Sequence, residues 1–340
     1  MGADPGGRRA ARLQKLSDRL TSGGFGLAWA GVCRLPEPLA YRLFDAIADV
    51  TSRRGGGDVE RMRANYARVR PELSPAQLDA LVREGMRSYM RYWCEAFRLP
   101  TLSPERIVAG VRAIGDEPVR ERLAAGGSVV CFLGHLGNWD SAGVWAGRAL
   151  APVTTVAERL EPEELFARFL AFREGLGMTI LPLTGGAPVF ETLRERAAAG
   201  GALIPLLADR DLTSTGVEVD LLGRRARMAA GPAALALATG AALHPVTMHY
   251  ERHEGGPGGY RLVVTFAPAV EVPQPAPGAG EDARALTAAM TQECADALAV
   301  GIVEHTADWH MMQRVFVEDL DPARLPAAPE SAATHPGSEA

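Results

Sequence analysis

Two apolar runs constrain this chain more than any other feature. Ser128 to Leu133 and Ala202 to Ala208 each read as a buried strand. The first ends at Gly134-His135-Leu136-Gly137-Asn138-Trp139-Asp140 and the second at Asp209-Arg210-Asp211. Trp139 to Leu150 then has the pattern of a helix. Further strands are expected at Ile107–Ile114, Pro152–Ala157, Met178–Leu183, Leu243–Tyr250 and Tyr260–Phe266. Helices are expected at Val119–Ala125, Pro162–Gly175, Pro188–Ala199, Pro232–Thr239 and Asp282–Glu304. Val217–Leu222 suits a short strand or a flap over a site. Strands alternating with helices imply an α/β fold with a central, mainly parallel sheet flanked by helices. The sheet should be mixed, because the Gly255–Gly259 turn joins the last two strands as a hairpin.

The first hundred residues follow a different rhythm. Amphipathic helices are expected over Arg8–Trp29, Pro36–Val50, Asp58–Val69 and Pro75–Phe97, the last started by Ser74-Pro75-Ala76-Gln77. In the second, Leu39, Leu43, Phe44 and Ile47 make an apolar stripe. Residues 1–100 carry 17 Arg and Lys against 11 Asp and Glu, a net +6 on a chain whose overall charge is -5. That balance excludes a general nucleic-acid binder and suits a basic helical layer on an anionic membrane surface. The expected organisation is a membrane-facing helical part over 1–100, an α/β core over 101–320 and a disordered Ala/Pro/Ser-rich tail over 321–340. The longest near-apolar run, Ala229–Val246, is broken by Gly, Pro and His, and no secretory pattern opens the chain. The expected location is therefore the cytoplasmic face of the membrane. The four cysteines, Cys33, Cys94, Cys131 and Cys294, are scattered and read as reduced thiols.

The carboxyl end of a strand in an open α/β sheet is where ligands bind, and His135 lies there. A general base needs an imidazole near neutrality and a carboxylate that fixes its tautomer. Asp140, in the first turn of the following helix, can supply that carboxylate if Gly134 and Gly137 let the backbone fold sharply. Arg173, before Gly175-Leu176-Gly177, and Arg210 are candidates for holding an anionic ligand. No metal site is expected: His244 and His249 are offset by five on a strand and face opposite ways. A Gly-x-Ser-x-Gly elbow is absent, and Cys131 lies mid-strand.

The stretch Gly134–Asp140 resembles the HxxxxD motif of the lysophospholipid acyltransferase superfamily. Its wording is similar to the lipid A late acyltransferase branch, and within that to the actinobacterial phosphatidylinositol mannoside acyltransferases. Ser88–Arg98, Phe172-Arg173, Leu181–Gly186, Leu207–Leu212 and Asp308–Gln313 extend the resemblance over residues 16–317. It implies transfer of a fatty acyl group, typically palmitoyl, from acyl-CoA to the 6-hydroxyl of a mannose on phosphatidylinositol mannoside, with no cofactor. It assigns His135 as catalytic base, Asp140 as its orienting carboxylate and Asp209 as a supporting acid, one methylene shorter than the glutamate often found there. Asn138, Arg173, Arg210 and His310 would contact substrate. Alternatives are acyl transfer to another glycolipid or a lysophospholipid, thioester hydrolysis, and lipid binding without catalysis.

Overall fold

The computed structural model describes residues 29, 31–157, 163–183, 188–211, 216–271 and 282–320. Several expectations lie outside these residues: the segment 1–7, all but Trp29 of the helix over 8–29, positions 184–186 and 212, most of the Pro-rich loop over 268–280, and the tail 321–340.

The architecture is α/β. Among the described residues, nine strands run in chain order: β1 (Val111–Ile114), β2 (Val129–Leu133), β3 (Thr154–Ala157), β4 (Thr179–Pro182), β5 (Leu203–Leu207), β6 (Val217–Leu221), β7 (Arg224–Met228), β8 (Ala242–Arg252) and β9 (Tyr260–Phe266). The central sheet has five strands in the order β1-β9-β8-β2-β5. It is parallel except for the β8–β9 hairpin, the mixed sheet expected from the sequence. The strand β2 is buried at every residue, as a strand covered on both faces must be. Its neighbours β5 and β8 hold it in register, with Leu133 opposite both Leu207 and Val246.

Two differences from the expected strands have local causes. The span 107–114 is not one strand. Ser103 accepts a hydrogen bond from the Arg106 N–H at 3.3 Å and starts the helix Pro104–Ala109, leaving only β1 for the sheet. Pro104 at the first helical position favours that start. The strands β3 and β4 do not extend the central sheet continuously. They pair in parallel as a separate ribbon, tied to β5 by the Val153–Leu203 bridge.

The helices that place the site are α1 (Glu37–Arg54), α2 (Gly57–Val69), α3 (Pro75–Arg98), α4 (Pro104–Ala109), α5 (Glu117–Ala124), α6 (Trp139–Ala149), α7 (Glu163–Gly175), α8 (Val189–Ala199), α9 (Gly231–Thr239) and α10 (Ala283–Glu304). The start of α3 carries a capping box: Ser74 accepts from the Gln77 N–H, and Gln77 accepts from the Ser74 N–H. Met62 and Tyr66 on α2, and Val82 and Met86 on α3, belong to the same apolar core as β2 and β5. The apolar stripe read on α1 is largely turned outward. Its buried residues are Ala40, Phe44 and Ala48, whereas Leu39, Leu43, Ile47 and Val50 are 41–51% exposed. Small alanines let α1 approach closely, so the bulkier residues take the outer face. Among the described residues, α10 is long and apolar enough to cross a membrane. One of its faces is buried, however, from Thr287 through Cys294 and Leu298 to Ile302.

Candidate active site

The loop after β2 turns at two glycines. The Leu136 N–H donates to the Gly134 carbonyl at 2.7 Å. Gly137 has φ 58°, and a Cβ there would lie 3.0 Å from the Cβ of Met248. Glycine is thus required both for the left-handed conformation and for close passage over β8. This loop leaves His135 at the strand end, 20% exposed at its side chain, on the wall of a cavity of about 780 Å³.

The carboxylate at the His135 ring belongs to Asp209. Nδ1 of His135 lies 2.5 Å from Oδ1 of Asp209, and the His135 backbone N–H donates to Oδ2 at 2.9 Å. The parallel register explains the encounter. With Leu133 opposite Leu207, the residues two beyond each strand end, His135 and Asp209, arrive at the same level. Asp209 is fully buried. Burial alone would push its carboxyl up, but the His135 ring and N–H and the Trp309 indole hold it below the ordinary carboxylate range. An ionised Asp209 makes Nδ1 the protonated ring nitrogen and leaves the Nε2 lone pair for chemistry.

Asp140 does not take the orienting position expected for it. Its Oδ1 accepts from Nε of Arg173 at 2.7 Å, and its Oδ2 accepts from the Tyr92 hydroxyl at 2.9 Å. Asp140 starts α6, Arg173 ends α7 and Tyr92 comes from α3, so this pair ties three helices together beside the cavity. Burial works against the Arg173 charge, but Asp140 more than offsets it and raises the guanidinium pKa further. Arg173, Arg210 and Asp140 all line the cavity.

Two expected substrate contacts lie elsewhere. Asn138 is fully buried: its side-chain oxygen caps α6 by accepting from the Ser141 N–H at 2.9 Å, and its amide donates to Glu95 at 2.9 Å. An Asn just before a helix serves naturally as its cap. His310 is buried behind the loop, its Nε2 2.9 Å from the Ser88 hydroxyl and its ring against Tyr89, Tyr92 and Trp139. Burial, with help from the Arg91 charge, lowers its pKa to about 3, so the ring is neutral. Tyr92 and Trp309 are contacts that sequence reasoning passed over. Both stood inside stretches noted for their wording, but nothing in local spacing marks which carboxylate each one reaches.

Apart from Thr155 and Asp211, the remaining cavity wall is apolar. It includes Leu133, Val246, Met248, Val264 and Phe266 from the central sheet, and Trp139, Gly143 and Ala146 from α6. Small-molecule pockets span about 300–1,000 Å³, so this one has room for a large apolar group. Cys131 also lines it; burial pushes its thiol up to about 12, far from a nucleophilic thiolate at neutral pH.

A histidine–carboxylate pair at the strand ends of an α/β sheet, opening on a largely apolar cavity, suits acyl transfer. The sequence comparison agrees: residues 10–318 match the family described as bacterial lipid A biosynthesis acyltransferase, and the chain belongs to it. It is an acyltransferase. Two relatives are named phosphatidylinositol mannoside acyltransferase. The one from Mycolicibacterium smegmatis is 41% identical over 310 residues, 91% of this chain and 95% of that protein. The one from Mycobacterium tuberculosis is 41% identical over 307 residues, 89% of this chain and 91% of that protein.

Proposed function

We propose that this enzyme transfers a fatty acyl group, palmitoyl by preference, from acyl-CoA to the 6-hydroxyl of a mannose on phosphatidylinositol mannoside. The observation that carries this reading is the His135–Asp209 pair on the wall of the apolar cavity, taken with relatives of that name along nearly the whole chain. The acyl chain occupies the cavity and the thioester carbonyl lies beside His135. Nε2 of His135 takes the proton of the sugar hydroxyl as its oxygen attacks the carbonyl carbon. The tetrahedral intermediate collapses with cleavage of the C–S bond, and the thiolate leaves as CoA thiol with the proton returned from His135. Asp209 holds the tautomer and stabilises the transient imidazolium. Arg173 and Arg210 place positive charge beside the donor. Mass spectrometry of products from palmitoyl-CoA with mono- or dimannosylated phosphatidylinositol tests the reaction. The wild type should yield one added palmitoyl on the sugar, and folded His135→Ala should yield none. Equal fatty-acid release with and without acceptor would instead identify a thioester hydrolase.

The same reading places the enzyme on the cytoplasmic face of the membrane. The basic balance of residues 1–100 and the outward Leu39, Leu43, Ile47 and Val50 support it, because charge and exposed apolar surface together favour an anionic interface. The protein should float with anionic vesicles at low salt and be partly released at high salt. Equal flotation with neutral vesicles would remove the electrostatic part of the proposal.

A further inference from the structure

The segment after α10 reaches back across the molecule to the catalytic loop. Trp309 forms an antiparallel bridge with Leu136. On either side of it, the Gly137 N–H donates to the Asp308 carbonyl at 2.9 Å, and the His310 N–H donates to the His135 carbonyl at 2.8 Å. The Tyr66 hydroxyl on α2 anchors the Trp309 carbonyl at 2.9 Å. The Trp309 side chain is fully buried, and its indole Nε1–H donates to Oδ2 of Asp209 at 2.9 Å. That oxygen also accepts from the His135 backbone N–H. With Oδ2 held by two donors, Oδ1 is left for the imidazole.

We infer that Trp309 is a positioning residue for acyl transfer, its indole N–H locking the Asp209 carboxylate in the rotamer that presents Oδ1 to Nδ1 of His135. The inference rests on the reading of His135 as the base. A buried indole N–H commonly finds some acceptor; here the acceptor is the one carboxylate that sets the base's tautomer. The indole also withdraws part of that carboxylate's negative charge. Without it, the charge facing the imidazolium is stronger and His135 holds its proton to higher pH. The other charged or titratable groups around this place are the Asp140–Arg173 pair at the start of α6 and the end of α7, Arg210 and Asp211 beyond β5, and His310 behind the loop.

The test uses full-length wild type and Trp309→Phe, which keeps an aromatic ring and deletes the donor. With palmitoyl-CoA and monomannosylated phosphatidylinositol, kcat should fall about tenfold or more. KM for palmitoyl-CoA should change less than twofold, and the acid limb of kcat/KM should move to higher pH. Nitrogen-15 histidine NMR reads the same effect without substrate. The His135 signal, identified by its loss in His135→Ala, should titrate at higher pH in Trp309→Phe. In the wild type, the Trp309 indole N–H resonance should move in step with His135, a readout that needs no stable variant. A His135 titration unchanged by Trp309→Phe, or an indole resonance flat through that titration, would overturn the inference and leave Trp309 as core packing. If wild type transfers nothing to the glycolipid, the proposed reaction fails, while the NMR titrations still decide the role of Trp309.

Discussion

At the scale of single residues, the two carboxylates near His135 have separable tasks. Asp209 contacts the ring and the backbone N–H of His135, whereas Asp140 contacts Arg173 and Tyr92. Asp209→Asn keeps the shape but loses the charge that selects the tautomer, so kcat should drop by about 10³–10⁴-fold with little change in KM for the donor. Asp140→Asn strips a largely buried arginine of its counter-charge and should cost up to about 3 kcal/mol of stability, read by urea unfolding. A kcat loss at Asp140→Asn as deep as at Asp209→Asn, without lost stability, would contradict this division. His135 was legible from its strand end and its glycines. Its partner was not, because five residues of sequence separation favour Asp140, while Asp209 lies just beyond the end of another strand.

At the scale of elements, α6 forms one wall of the cavity through small residues. Gly143 and Ala146 line it, and a Cβ at Gly143 would meet the sulfur of Met178 at 2.8 Å. Ala146→Phe fills part of that space and should shift donor preference toward shorter acyl-CoAs, measured as kcat/KM across a chain-length series. Unchanged preference would place the acyl chain elsewhere. The start of α3 was legible in the residues themselves, since Ser74 with Gln77 satisfies local backbone donors, whereas Asn138, read as a substrate contact, caps α6. The facing of α1 was not. Periodicity locates an apolar stripe, but Ala40 and Ala48 form an equally regular face, and packing distance chose between them.

For the molecule as a whole, buried His310 joins α3 to the loop after β2 and makes folding sensitive to acid. Its pKa drops from the ordinary 6.5 to about 3 on folding. Between those values the unfolded chain binds the extra proton, so the full contribution is present above pH 6.5 and is lost as pH falls toward 3. His310→Gln should therefore reduce the loss of stability between pH 7 and 5, by up to about 1.4 kcal/mol per pH unit once the unfolded imidazole is protonated. Urea unfolding at several pH values measures this. Parallel slopes for variant and wild type would show that His310 is not the group responsible.

Most strands and helices could be placed from the sequence by itself, because alternation, capping and apolar runs act over a few neighbouring residues; α4 and β7 were missed. A histidine at a strand end between glycines suggested by itself only a candidate general base; acyl transfer was legible through the resemblance of several ordered motifs. Which carboxylate serves that histidine was decided only by the tertiary structure. Strand order set β5 beside β2 in parallel, and the return of the chain after α10 brought the Trp309 indole to the same oxygen. These are contacts between residues 74 and 100 positions apart, formed by burying shared apolar surface rather than by any local preference of the backbone.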